Sequence, residues 1–374
     1  MSTLLTSWDE HLVGTGGPSG YPAYVNTEWR WLSRFRQQFE LCGLNESETC
    51  IVLSESGSRP ALVETAVLAA QSLGADTFQV VMPTPANQGP VALRSTGTSL
   101  ALQSIQAAII ALQNADFVVD CTMEGLLHSR ELGAILGAGT RVLMISNEHP
   151  ENFERLPHDV GMAERVTKGY DMLCAASTMR VTSEAGTDLT VHLDGSFRAG
   201  STGVTSGPGS IAHWPGGLVL AFPAPGTVNG TIVLAPGDIN LTFKKYVNSP
   251  ITLKVVDDYV TEITGAGYEA AQLASYMAAF NSRDAYASSH LGWGMNPSAR
   301  WDYLDLYDRS DINGTEARAF EGNFMYSTGA NENAQRFSPC HFDLPMRECT
   351  VELDGQAVVK NGILQGELAP DGMN

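Results

Sequence analysis

Two histidines and an aspartate in the C-terminal third carry the residue types for metal chemistry. SSHLGWGMNP places His290 before a Gly-Trp-Gly run, and SPCHFDLP places His341 and Asp343 two residues apart. Successive side chains of a strand point to opposite faces. A strand here therefore sends His341 and Asp343 to one side, Cys340 and Phe342 to the other. Two imidazoles and a carboxylate on one face of an octahedron hold iron(II) and leave positions open for a substrate and oxygen. The spacing alone is weak, because H-x-D is short and a histidine beside a strand is commonly a packed structural residue. Cys340 is set aside: alternation turns it away, and a thiolate suits zinc or an iron–sulfur site better.

The elements that must position these residues start far upstream. After an amphipathic helix, TEWRWLSRFRQQFELCG, short β-branched runs alternate with helical ones. CIVLSES, DTFQVVMPT, ADFVVDCT and TRVLMISN read as strands. RPALVETAVLAAQSLG, ending on Gly74, and SLALQSIQAAIIALQNA read as helices. This alternation predicts a doubly wound, parallel α/β layer. No G-x-G-x-x-G follows the first strand and no P-loop is present, so a nucleotide cofactor is not indicated. Ligands of such layers bind beyond the C-terminal ends of the strands. The third strand leads there into DCTMEGLLHSRE, which places His128 in a loop or first helical turn. At that position His128 is either a packed cap or a neutral imidazole able to move protons.

From about residue 180 the pattern changes. MRVTSEAGTDLTVHLDG, GGLVLAFPAPGTVNGTIVL and SPITLKVVDDYVTEITG are short alternating strands with Gly, Pro and Asn turns, interrupted by one helix, YEAAQLASYMAAFNS. They predict a mostly antiparallel sheet. The expected division is an N-terminal α/β domain over 1–183, with 1–45 as an extension and first helix, and a C-terminal metal-binding domain over 184–374. RAGSTGVTSGPGSIAH (198–213) is small and flexible in composition and ends on His213. It reads as a surface loop or as a lid over a site.

At 374 residues the chain is long enough for two ordinary domains. Its net charge of −19, with no basic run, tells against nucleic acid and anionic membranes as partners. No apolar stretch approaches the ~20 residues needed to cross a bilayer. MSTLLTSWDEH has neither a positive n-region nor an apolar h-region, so a cytoplasmic location is expected. The six cysteines form no C-x-x-C pair and are expected as free thiols.

Several separated blocks share one order: LLHS around His128, HWPGG at His213–Gly217, SHLGWG around His290, ARAFEGNFMYSTGAN at 317–331, and PCHFDLP at 339–345. In these blocks the chain, from about residue 45 onward, resembles the 2,5-dihydroxypyridine 5,6-dioxygenase family of nicotinate degradation. The resemblance implies a non-haem iron(II) dioxygenase that opens a hydroxylated pyridine ring with O₂, taking 2,5-dihydroxypyridine to N-formylmaleamate. It implies one Fe(II) per chain held by His290, His341 and Asp343, with His128 as the acid–base residue. His213 would bind the substrate, and Ser327 would be a polar group beside iron and oxygen. A hydroxypyridine and O₂ are the expected partners, in a homo-oligomer. More distantly the same blocks resemble aminopeptidase T-type leucyl aminopeptidases, which hold two metals. That likeness implies an aminopeptidase T-like fold, and a dinuclear-metal aminopeptidase or amidohydrolase is the alternative function. A non-catalytic binding protein on the same fold is a third reading. Where those peptidases carry a metal-binding Glu in a P-x-G-E strand, this chain has Leu218, and a second Glu is replaced by His290. The segment 199–210 is smaller and less charged than in the dioxygenase family, so a pocket tolerant of a ring substituent near residues 201–207 is expected.

Overall fold

The computed structural model describes residues 27–86 and 100–370. Most of the N-terminal extension (1–26) lies outside the described residues.

The first sheet is wholly parallel. It consists of β1 (Thr49–Glu55), β2 (Asp76–Met82), β3 (Phe117–Asp120), β4 (Arg141–Met144) and β8 (Ile211–His213), in the order β2-β1-β3-β4-β8. The inner strands β1, β3 and β4 are buried on both faces because helices cover them, whereas the edge strand β2 is largely exposed. Cys50 and Val52 of β1 pack with Phe35 and Phe39 of α1 (Trp29–Leu41) and Leu62 of α2 (Pro60–Ser72). Ile51 and Leu53 pack on the other face with Ile109 of α3 (Gln106–Gln113) and Ile135 of α4 (Leu132–Gly137). Pro60 opens α2, and Gly74 follows its end with φ +84°, a left-handed conformation that glycine adopts without steric cost. The stretch SLALQSIQAAIIALQNA is helical only over Gln106–Gln113. Gln103 and Ser104 have positive φ, and Ser104 N donates to the Glu131 carboxylate at 3.0 Å. That tertiary bond replaces the first helical turns.

Two antiparallel sheets follow. One has eight strands, β5 (Thr178–Thr182), β6 (Asp188–His192), β10 (Val228–Leu234), β13 (Ile251–Val256), β14 (Tyr259–Thr264), β18 (Thr350–Leu353), β19 (Gln356–Lys360) and β20 (Ile363–Leu364). The other runs β17 (Arg336–Met346), β16 (Phe324–Asn331), β15 (Ser288–Gly294), β9 (Leu218–Phe222), β7 (Phe197–Ser201). A small hairpin, β11 (Ile239–Asn240) and β12 (Lys245–Tyr246), lies beside them. Both sheets share one core, with Val219, Leu291, Phe324 and Phe342 from the five-stranded sheet and Val181, Ile232 and Leu253 from the eight-stranded one. Helix α5 (Pro150–Arg155) precedes α6 (Val160–Ala175). Asp159 caps α6 by accepting from Met162 N at 2.6 Å, and the helix buries Met162, Val166, Gly169 and Leu173 at helical spacing. Helix α7 (Tyr268–Ala279) covers the same core, and α8 (Thr315–Ala319) leads into β16.

The architecture is therefore a doubly wound parallel layer joined to antiparallel sheets, as the sequence predicts. Strand β8 lies beyond residue 184 yet completes the parallel sheet. We propose the division at 183/184 for the layers as a whole, with β8 crossing back and with α6 and β5, before the boundary, belonging to the antiparallel part. No described helix is long and apolar enough to cross a membrane. All six cysteines are free thiols.

Candidate active site and metal centre

The five-stranded sheet has two unlike faces. Val219, Ala221, Leu291, Tyr326, Phe342 and Leu344 enter the core. Between them in sequence, Leu218, Leu220, Phe222, Met325, His341 and Asp343 face a cavity. Cys340 and Phe342 point into the core, as strand alternation requires.

Strand β16 separates the two strands that carry the imidazoles. Ser327 lies directly across from Asp343, and Gly329 across from His341. Both are small, so side chains from β15 and β17 can meet above β16. The pairing of β15 with β16 shifts by one residue between Ser288 and Leu291. Ser289 and His290 therefore oppose Ser327 alone, a bulge that turns His290 over the sheet. The result is a compact donor set. His290 Nε2 is 3.2 Å from His341 Nε2 and 3.6 Å from Asp343 Oδ1, and His341 Nε2 is 3.2 Å from the same oxygen. Cis ligands about 2.1 Å from one ion stand roughly 3.0 Å apart, so a modest contraction of this set suits an octahedral face.

Electrostatics keep the set ready to ligate. Burial lowers His290 well below the usual imidazole value and also lowers His341, which leaves both neutral. Burial alone would raise Asp343, but the Arg318 guanidinium paired with it, with a hydrogen bond from His341, holds its carboxyl well below the usual range. Arg318 Nε donates to Asp343 Oδ2 at 2.6 Å, and Ser327 Oγ donates to Oδ1. Neutral imidazoles with an ionised carboxylate are the protonation states that a divalent ion requires.

His128 reaches the same place from the loop after β3. One of its ring nitrogens lies within 4.8 Å of nitrogens of both His290 and His341, so three imidazoles form a second conceivable ligand set. Its ring packs 4.2 Å from that of His341 and 6.0 Å from that of His290. Its Nδ1 is held by Glu332 at 3.1 and 3.2 Å, while its Nε2 is buried without a protein partner. His213, at the C-terminal end of β8, lines the cavity with Nδ1 buried and unpaired. Burial, with the nearby Arg318 charge, lowers His213 to about 4.

These residues close a cavity of about 120 Å³ between the C-terminal edge of the parallel sheet and the face of the five-stranded sheet. An apolar cavity of roughly this size holds a single benzene ring. Ser327 lies beneath the site, its hydroxyl engaged with Asp343 rather than free toward the cavity. The segment 199–210 is not a loose lid. Ala199, Gly200 and Ser201 line the cavity, but Gly203 O accepts from Gln38 at 2.7 Å and Thr205 donates to Cys42 O at 3.1 Å. The room beyond the cavity lies along β7 and α6, where a groove of about 650 Å³ shares Leu127, Ala199, Gly200, Ile211 and Phe222 with it. Arg318 and Glu332 carried no signal in the sequence reading. Arg318 sits in a matched block but without a spacing that marks it, and Glu332 meets His128 across 204 positions of chain.

Comparison with known proteins shows the family and the fold. The family model described as 2,5-dihydroxypyridine 5,6-dioxygenase (NicX) matches residues 30–366. A Pseudomonas putida protein named 2,5-dihydroxypyridine 5,6-dioxygenase is 38% identical over 334 residues, covering 88% of this chain and 94% of that one. A solved structure of 2,5-dihydroxypyridine dioxygenase from Pseudomonas putida KT2440 superposes with a TM-score of 0.85 at 36% identity, covering 91% and 97% of the two chains. AmpT from Thermus thermophilus shares the fold alone, with a TM-score of 0.52 at 12% identity over 88% of this chain and all of that one. Matched by the family model over residues 30–366 and 38% identical to a relative over most of both lengths, the chain belongs to the 2,5-dihydroxypyridine 5,6-dioxygenase family.

Proposed function

We propose that this enzyme is a non-haem iron(II) dioxygenase that opens the ring of 2,5-dihydroxypyridine to N-formylmaleamate, with one iron per chain held by His290, His341 and Asp343. The observation that carries the reading is the convergence of those three donors, 3.2 to 3.6 Å apart, at a cavity sized for one ring in a member of this family. Asp343 is preferred to His128 as the third ligand. Its charge offsets that of the ion, and the residue shares a strand face with His341 and lies within 3.6 Å of His290, with Arg318 and Ser327 holding it in place. The peptidase alternative is disfavoured because Leu218 cannot ligate a second ion.

Iron(II) held by His290, His341 and Asp343 would supply Lewis acidity and a redox-active centre for the reaction of the ring with O₂. The protein does the rest. Leu218, Leu220, Phe222 and Met325 exclude water from the ring. His213 orients it through a neutral imidazole, and His128 accepts the hydroxyl proton at Nε2 and returns it later. Arg318 and Ser327 fix the Asp343 carboxylate in place. The proposal extends to a cytoplasmic homo-oligomer without nucleic-acid or membrane partners, and the net charge of −19 supports the exclusion of polyanionic surfaces.

The test is metal analysis with anaerobic iron(II) loading, then oxygen uptake on 2,5-dihydroxypyridine. One iron per chain is expected, and His341→Ala should lose iron and activity while its fold, read by circular dichroism, is kept. Full iron occupancy in that variant, or two tightly bound metals in the native protein, would overturn the assignment.

A further inference from the structure

A second acidic residue is built into the site from outside the ligand set. Glu332 begins a short 3-10 turn, Glu332–Ala334, between β16 and β17. The turn is pinned on both sides by buried polar side chains. Asn331 accepts from Ala334 N at 3.1 Å and donates to Pro223 O at 3.2 Å. Arg336 donates to Gly329 O at 3.2 Å and to Ser288 O. From this fixed base the carboxylate crosses to the parallel layer and places both oxygens within 3.2 Å of His128 Nδ1.

An ionised carboxylate only accepts hydrogen bonds, so the proton of a neutral His128 must sit on Nδ1. The other nitrogen, Nε2, is then the bare acceptor, and it is the atom left buried and unpartnered at the cavity. The His128 side chain is 2% exposed, whereas that of Glu332 is 22% exposed and lines the outer groove. We infer that Glu332 is the positioning residue for His128: it selects the tautomer and holds the ring so that Nε2 faces the substrate. Resting on the role proposed for His128, this inference gives that role its structural cause. A carboxylate set behind a catalytic imidazole acts in this way in other enzymes by fixing tautomer and orientation.

The experiment uses the iron-loaded enzyme, with steady-state oxygen uptake and iron content measured on Glu332→Ala, Glu332→Gln and His128→Ala. For Glu332→Ala we expect native iron content, KM within about threefold, and kcat lower by roughly 10- to 100-fold, the usual effect of losing a histidine's outer partner. Glu332→Gln, whose amide oxygen still accepts from Nδ1, should recover most of that loss. Added formate should raise kcat of Glu332→Ala by entering from the groove, and should do nothing for His128→Ala. A native kcat in Glu332→Ala overturns the inference. So does a slow Glu332→Ala that neither the Gln variant nor formate restores, because the missing acceptor is then not the cause. If His128→Ala itself turns over at the native rate with iron bound, the acid–base role falls and the inference falls with it. A slow His128→Ala beside a native-rate Glu332→Ala refutes only the inference.

Discussion

Asp343 bears the greatest electrostatic load of any single residue in the site. One oxygen faces two imidazoles and accepts from Ser327, while the other is paired to Arg318. Breaking a buried pair by removing one partner costs about 3–5 kcal/mol, because the remaining charge is left uncompensated. Arg318→Met should therefore destabilise the metal-free protein by about 3 kcal/mol, and the iron-loaded protein by much less, since the ion supplies the missing positive charge. Urea unfolding with and without iron(II) measures both, and equal losses would contradict this account. We propose that His213 acts in specificity rather than in metal binding. With its pKa lowered to about 4 it is neutral at pH 7 and offers a hydrogen bond without a charge. Catechol lacks the ring nitrogen and the second hydroxyl para to the first, so kcat/KM should favour 2,5-dihydroxypyridine. His213→Ala should narrow that preference by the roughly 1–3 kcal/mol of one buried hydrogen bond. An unchanged preference in the variant would remove His213 from recognition.

At the scale of elements, the site depends on irregularities within regular structure. The bulge in β15 aims His290, and the small residues of β16 leave room for the rings above it. The loop that delivers His128 hangs on Asp120, at the end of β3. Its carboxylate accepts from Thr122 N at 3.0 Å, Thr122 Oγ1 at 2.6 Å and Leu126 N at 2.6 Å. Burial nevertheless raises Asp120 to about 6, so the hydrogen bonds do not fully offset the loss of water. The folded-state value lies above the unfolded one, near 3.8. The stabilisation from protonating Asp120 is thus fully present below about pH 4 and is lost as pH rises through about 6. The stability of the native protein minus that of Asp120→Asn should fall by about 2 kcal/mol between pH 4 and 7. Denaturant titrations across that range give this difference directly, and a flat profile would mean the ionised carboxylate is fully compensated.

For the whole molecule, the cavity exists only where the parallel layer and the five-stranded sheet are held together. Glu148, just beyond β4, makes the tightest link. It accepts from Asn313 N at 2.9 Å, Gly314 N at 2.7 Å, Thr315 N at 2.8 Å and Thr315 Oγ1 at 2.6 Å, at the start of the α8 helix that carries Arg318. Arg155–Glu316 at 2.6 Å and Arg59–Asp311 at 2.8 Å reinforce it. Glu148→Ala leaves several buried N–H groups unpaired, each costing about 1–3 kcal/mol. We expect a total loss of at least about 3 kcal/mol and a raised KM, because α8 no longer fixes Arg318 at the cavity. Native values for both, from denaturation and steady-state kinetics, would show that the link is dispensable.

The sequence by itself determined the two kinds of layer, since 3.6-residue and two-residue apolar periods dictate which faces must be buried. It also determined that His341 and Asp343 share a face, because alternation along one strand is local geometry. Block order then marked His128, His213 and His290, which line one cavity in the folded chain. The return of β8 to the parallel sheet, the one-residue bulge beside His290 and the shortened α3 were decided by tertiary contacts that outweigh local propensity. Arg318 and Glu332 were invisible for the same reason. A charge becomes a partner through distance and loss of water, and only folding set the Arg318 guanidinium against Asp343 and the Glu332 carboxylate against His128.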